Sequence, residues 1–317
     1  MPAILPKPWQ NAGMREAYGK TLVKLGAENP NVVVLDADLS GSTQTKMFGK
    51  AYPERFFNMG IAEQNMTGVA AGFAVSGKIP FMSTFAVFAT GRNYDQVRQS
   101  IAYPENNVKI VATHSGVSVG PDGATHQALE DVALMRGLPY MTVIAPADAV
   151  ETEKAILAVA KMHGPVYVRL TRSPSPVIFG PDYDFKIGKG VFLREGKDVS
   201  IVSTGTMTVP AVQAAEILAS QGIDAAVLHM PTIKPIDVDA LLKASETRKI
   251  VTVEEHSVIN GLGSAVAENL AYYNPTRQMR IGTEDRFGES GSAEELYDKY
   301  GLTAPKIAER IKVFMKH

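Results

Sequence analysis

Two periodicities divide this chain. Met14, Tyr18, Leu22 and Leu25 recur at helical spacing and predict an amphipathic helix that closes near Gly26. The stretch from Val32 to Leu35 is an unbroken, largely β-branched run, as expected of a strand covered on both faces. Further apolar runs predict strands at 56–59, 79–84, 108–113, 141–145 and 165–170. Helical patterns over about 62–75 and 88–102, one running through 136, and one from 148 to about 162 separate them. A second series follows, with strands near 199–204, 225–230, 249–254 and 279–283. Its helices fall near 207–220, 237–245, 261–273, 292–299 and 304–315. Strands alternating with helices imply βαβ units, so the expected fold class is α/β, with two doubly wound domains and mainly parallel sheets. Residues 1–12 read as an extended, proline-punctuated arm, and residues 173–190 carry proline and glycine without period. We therefore divide the chain into a domain at 1–175, a linker at 176–192 and a domain at 193–317.

Composition narrows the function classes. The 317 residues are 45% apolar, enough for two sizeable cores. A formal net charge of -1 recommends neither a nucleic acid nor a membrane surface as partner. Anion recognition must then come from individually placed residues. With no cysteine, disulfides, thiol chemistry and thiolate metal sites are excluded. No window approaches the ~18 apolar residues of a membrane helix. The N-terminal stretch has too many prolines for a signal peptide, and the expectation is a cytoplasmic protein.

Several stretches can carry chemistry. Gly60-Ile61-Ala62-Glu63-Gln64 puts a carboxylate where an apolar run gives way to a helix of small residues. Such junctions line the ligand crevice of open α/β sheets, although a glutamate there can simply complement the helix dipole. Ser83-Thr84-Phe85-Ala86-Val87-Phe88 places two aromatics three apart at a second junction, either as core or as a platform for a planar ligand. The loop from His114 to His126 holds both histidines, Asp122 and three glycines. Its spacing suits proton transfer better than metal ligation. Arg169 and Arg172 flank a strand end, where an arginine offers a fork to phosphate or forms an ion pair. Gly19-Lys20-Thr21 lacks the glycine of a phosphate-binding loop, with Met14 in its place, and lies mid-helix. Gly261 and Gly263 lack the third glycine of a dinucleotide fingerprint, Val266 standing there, and read as a helix start.

Taken in order, Gly60-Ile-Ala-Glu63-Gln, Ser83-Thr-Phe-Ala-Val-Phe88, the His114–His126 loop, Val143-Ile-Ala-Pro-Ala-Asp148 and Val253-Glu-Glu-His256 resemble the C-terminal half of a transketolase. The resemblance covers nearly the whole chain. It implies a thiamine-diphosphate pyrimidine-binding domain followed by a transketolase C-terminal domain. It further implies a Mg²⁺ and diphosphate site on another chain, because no Gly-Asp-Gly stretch occurs here. No metal ligand is assigned in this chain. The implied partner is an N-terminal-type transketolase subunit, with self-association into a dimer of heterodimers and sugar phosphates as substrates. By the same resemblance Glu63 protonates the aminopyrimidine, its acid form favoured by desolvation, and Phe88 stacks on that ring with Phe85 nearby. His114, Asp122 and His126 meet the sugar's hydroxyls and phosphate, and Arg172 binds phosphate. The two histidines are also placed among the catalytic residues. Shorter matches make Arg15 and Ser42 phosphate contacts and Asp38 a cofactor-side aspartate. Gly91 departs from the family, which often has a further aromatic there.

Three rivals remain at this level. A synthase of 1-deoxyxylulose 5-phosphate shares the Ser-Thr-Phe stretch but is usually one long chain. A 2-oxo-acid dehydrogenase beta subunit has a similar plan but little use for His114, Asp122 and Arg172 together. A non-catalytic regulatory or scaffold subunit would have no use for Glu63 and Phe88.

Overall fold

The computed structural model describes residues 4–316. The first sheet takes β2 (Val32–Asp36), β3 (Phe56–Asn58), β4 (Ile79–Ser83), β5 (Lys109–Ala112), β6 (Thr142–Ile144) and β7 (Val166–Arg169), after the short β1 (Asn11–Ala12). These six are parallel, in the order β6-β7-β5-β4-β2-β3. All five residues of β2 are buried, as an unbroken apolar run between two helical layers requires. Helices Met14–Glu28 and Ala149–Lys161 pack together over one face. Helix Glu63–Val75 and the segment Val97–Ala102 cover the other. The parallel order turns outward in both directions from β2 and β4, so the crevice expected at such a switch lies above their carboxyl ends.

The segment after β7 is more ordered than its proline content suggested. Within it, β8 (Ser175–Pro176) pairs antiparallel with β1, and β9 (Val191–Arg194) begins the second sheet. That sheet comprises β9, β10 (Val199–Ser203), β11 (Ala225–His229), β13 (Lys249–Ser257) and β14 (Arg277–Thr283), in the order β14-β13-β10-β11-β9. Only β9 is antiparallel to its neighbour. Helices Thr208–Ala219 and Ala304–Lys316 cover one face, and Val238–Ser245 and Leu262–Tyr273 the other. Both sheets are thus doubly wound and mainly parallel.

Two local readings are corrected. The expected helix over 88–102 is three pieces: Ala86–Gly91, Tyr94–Gln96 and the wider-wound Val97–Ala102. Gly91 and Asn93 interrupt it, both poor helix interior residues. In addition, β12 (Thr232–Lys234), which no periodicity announced, leaves the second sheet's series and pairs antiparallel with β6. A three-residue strand has too few alternations to register as a pattern.

Buried polar groups tie the two sheets together. The Glu151 carboxylate accepts the Tyr183 hydroxyl at 2.8 Å and the Ala147 N–H at 2.6 Å, and pairs with His229 Nε2 at 2.7 Å. Asp148 caps its helix through the Glu151 N–H and accepts the Ile178 and Phe179 N–H groups. Removing one partner of such a network leaves a buried group unsatisfied, at a cost of about 1–3 kcal/mol.

Candidate active site

Most site residues read from the sequence lie on segments that follow the carboxyl ends of strands of the first sheet, while Arg15 lies on the first helix and Arg169 ends β7. Glu63 is the first residue of its helix and only 4% exposed. The turn that delivers it passes through Gly60 at φ +70°, a conformation that favours glycine. Phe85 and Phe88 follow β4, nearly parallel with ring centroids 5.9 Å apart. His114 follows β5, buried, at φ +58°, and stacks on Phe85 at 3.8 Å. His126 presents its edge to Phe88 at 5.4 Å. The two aromatics, both histidines and Glu63 therefore form one wall, whose residues come from three strand ends.

The structure adds a residue that the sequence reading missed. Arg92 Nη1 donates to Glu63 Oε1 at 2.9 Å, and its guanidinium carbon lies 3.8 Å from the Phe88 ring centroid. Phe88 and Arg92 are four apart, the spacing that places side chains on one helical face, and that spacing was the available signal. The pairing compensates the buried carboxylate. The cation–π contact contributes about 0.5–1 kcal/mol at a half-exposed site. Glu63 is thus paired with Arg92, a partner that the expectation of a desolvated carboxyl held against the cofactor ring did not include. An open crevice of about 430 Å³ lies against Arg92 and residues 61–65.

A second cluster gathers positive charge beside His114. Arg172 Nη1 donates to the Val119 carbonyl at 2.5 Å and lies 3.6 Å from Asp122 Oδ1. Arg15 donates to the Arg172 carbonyl at 3.0 Å and to the Ser42 carbonyl at 2.7 Å. Ser42 thus holds Arg15 through its backbone. Burial, helped by the charges of Arg15, Arg172 and His126, pushes His114 down to about 3, so its imidazole is neutral at pH 7. Its Nδ1 shares a 2.8 Å hydrogen bond with Thr113 Oγ1. Burial also lowers Arg15 from its usual value, opposed by Glu16.

Two residues stand apart from these clusters. Asp38 is exposed at φ +64° and accepts from Asn58 Nδ2 at 3.0 Å, on the turn after β2. Its neighbour Asp36 is the buried one and accepts from Leu39 N–H, Thr43 Oγ1 and Thr45 Oγ1. Arg169, an alternative phosphate fork in the sequence, is a structural group. It is buried, pairs with Asp131 at 2.8 Å and donates to the Glu255 carbonyl.

The second sheet braces the histidine loop. Glu255 Oε1 accepts the Ser118 N–H at 2.7 Å, and Oε2 accepts the hydroxyls of Tyr297 and Thr206 at 3.0 and 3.2 Å. Gly116, at φ +76°, lies so close that a Cβ would stand 2.3 Å from Glu255 Oε1. Glu254 accepts the Leu262 and Gly263 N–H groups and so starts the helix that the glycine pair announced.

Known proteins place this geometry. Residues 10–176 match the family described as transketolase, pyrimidine binding domain, and residues 188–307 that described as transketolase, C-terminal domain. The chain belongs to the transketolase family. Among transketolase relatives, one in Methanocaldococcus jannaschii, provisionally named a transketolase C-terminal section, is 52% identical over 307 residues, covering 96% of each chain. A 6-deoxy-6-sulfo-D-fructose transketolase subunit of a Clostridium species is 44% identical, covering 93% of this chain and 92% of its own length. A solved split-gene transketolase, described as an inactive beta4 tetramer, superposes with a TM-score of 0.90 at 54% identity. That superposition covers 96% of this chain and 98% of the solved one. The chain is thus a split-type transketolase-family subunit. Among the described residues, no helix is long and apolar enough to cross a membrane.

The family implies thiamine diphosphate, and the residues present fit one end of it. A carboxylate beside a pair of parallel aromatic rings suits an aminopyrimidine, with a polar edge and two apolar faces. Among the described residues, no group of three His, Asp or Glu side chains is arranged to hold a metal ion.

Proposed function

We propose that this chain is the pyrimidine-binding subunit of a thiamine-diphosphate-dependent transketolase, transferring a two-carbon ketol unit between sugar phosphates. The observation that carries the reading is one wall holding Glu63, Phe88, Phe85 and His114 beside the Arg15–Arg172 cluster. It offers a ring-binding half and a phosphate-binding half together. Once bound, the cofactor would supply the carbon nucleophile and electron sink that ketol transfer needs. In the reading proposed here, Glu63 holds a proton at a ring nitrogen while Phe88 and Phe85 orient the ring. Arg172, with Arg15 behind it, draws the substrate phosphate. His114, being neutral, donates or accepts one hydrogen bond and adds no charge. His126, at the edge of Phe88, serves the substrate hydroxyls, and Asp122 shares Arg172 with the incoming phosphate. Asp38 remains a candidate cofactor contact from the turn after β2.

The metal, Mg²⁺, and the diphosphate belong on an N-terminal-type partner subunit, and the working assembly is a dimer of heterodimers in the cytoplasm. Domains at 1–175 and 193–317, joined through 176–192, complete the proposal. The solved split-gene relative is described as an inactive beta4 tetramer, which supports this division of labour. The sulfo-sugar relative supports a second possibility for the ketol donor, a ketose whose anionic group is a sulfonate and not a phosphate ester. The test is reconstitution. Affinity capture from the native source should retrieve an N-terminal-type subunit, and the two chains together, but neither alone, should transfer ketol units in the presence of thiamine diphosphate and Mg²⁺. Robust transfer by this chain alone would refute the split reading.

A further inference from the structure

We propose that Arg92 is a built-in plug for the aminopyrimidine site, occupying its place in the cofactor-free chain and swinging out when the ring arrives. This rests on the cofactor reading above. A ring that stacks on Phe88 and takes the Glu63 carboxylate needs the space over the Phe88 face on the Glu63 side. The Arg92 guanidinium is itself planar, lies 3.8 Å from the Phe88 centroid and already holds Glu63 Oε1 at 2.9 Å. It satisfies both requirements of the missing ring, the apolar face and the polar edge.

The plug is able to move. The Arg92 side chain is 46% exposed, whereas that of Glu63 is 5% exposed, so the arginine can rejoin solvent and the carboxylate cannot. Gln64 Nε2 donates to the Arg92 carbonyl at 3.0 Å, which anchors the backbone and leaves the motion to the side chain. Next to it, a Cβ built on Gly91 meets nothing within 4 Å, so there is open room beside the helix. The residue that departs from the family's aromatic pattern thus vacates space next to the residue that covers the platform. The consequence is that cofactor loading competes with an intramolecular contact, and the unloaded chain keeps both its buried carboxylate and its aromatic face covered.

The experiment titrates the chain, assembled with its captured N-terminal-type partner subunit, with thiamine diphosphate and Mg²⁺ by calorimetry. Alongside, the Arg92 Nε–H resonance, assigned by its loss in Arg92→Ala, is followed by NMR. A plug predicts that Arg92→Ala binds the cofactor roughly 5- to 30-fold more tightly, the sum of a half-exposed cation–π contact and one ion pair. In the wild type, the upfield ring-current shift of the Arg92 Nε–H should vanish as cofactor saturates. Unchanged or weaker binding by Arg92→Ala, or an upfield shift that persists at saturation, overturns the plug and leaves the cofactor reading standing. The cofactor reading is checked separately with Phe88→Ala. Binding that ignores Phe88→Ala, or no binding by any of the three assembled complexes, overturns the reading and the plug with it.

Discussion

The Glu255 carboxylate reaches from the second sheet to the Ser118 N–H of the first, 2.7 Å away, inside the loop that carries both site histidines. Three donors converge on that carboxylate, and burial raises its proton affinity above the usual carboxylate range. An amide in its place keeps only one accepting end, so either the Ser118 N–H loses its partner or the Tyr297 and Thr206 hydroxyls must reverse from donors to acceptors. Glu255→Gln should therefore cost about 1–3 kcal/mol in denaturant unfolding. It should also lower hydrogen-exchange protection across residues 116–127. Unaltered protection in that loop would mean that the second sheet does not brace it.

Glu63→Gln separates the proposed acid from a helix-cap role. The size is kept and the proton-bearing group is lost. Activity of a reconstituted complex should fall by roughly 10²–10⁴, the range for a positioned acid–base group. Exchange of the cofactor's reactive proton in D₂O, read by NMR, should slow in parallel. A pure dipole role would shift stability by a few tenths of a kcal/mol and leave exchange as it was.

Arg172→Ala tests the anion cluster. A charged hydrogen bond of this kind is worth about 1.5–3 kcal/mol in transition-state binding. The loss should appear as a raised KM for phosphorylated sugars, with kcat less affected, because Arg172 lies toward the phosphate half and away from Glu63. Equal loss for phosphorylated and unphosphorylated acceptors would remove the assignment. The same comparison with a sulfonated sugar measures how far the cluster reads charge alone.

His114 gives a prediction in pH. Its usual value is 6.5 and the folded protein pushes it down to about 3, chiefly by burial. Between those values the unfolded chain binds more protons than the folded one, so stability rises with pH across the window and is lost as pH falls through it. The urea midpoint of the wild type should decline from pH 6.5 toward pH 4, and His114→Gln should flatten part of that decline. An identical slope in the variant would show that His114 is not held neutral by the fold.

The architecture was largely legible because the strands that build it are covered on both faces and read as unbroken apolar runs, as at Val32–Asp36. The candidate site was legible where a change of period marked a strand end, as at Glu63, Phe88 and His114. Arg92 escaped because its four-residue spacing from Phe88 is a single pair, common on any helix, and its meaning comes from Glu63, twenty-nine residues away in sequence. Arg169 was ambiguous for the same reason. Its partner Asp131 opens a helix elsewhere, and burial, which sequence cannot supply for one charged residue, turned a possible anion fork into an internal ion pair. Ser42 was expected, by resemblance, to contact phosphate, and the structure has its carbonyl, a group every residue possesses, holding Arg15.

The short strand Thr232–Lys234 lies beyond the linker in sequence but adds itself to Thr142–Ile144 in space. Where the chain can be cut and where it can be taken apart are consequently different places. A fragment ending in the linker would expose the backbone of β6 as an open edge, an invitation to intermolecular pairing. A fragment beginning there would carry a strand with nothing to join. Gene fission or domain shuffling that respects only the proposed linker would thus yield two sticky pieces, because the two parts share a sheet.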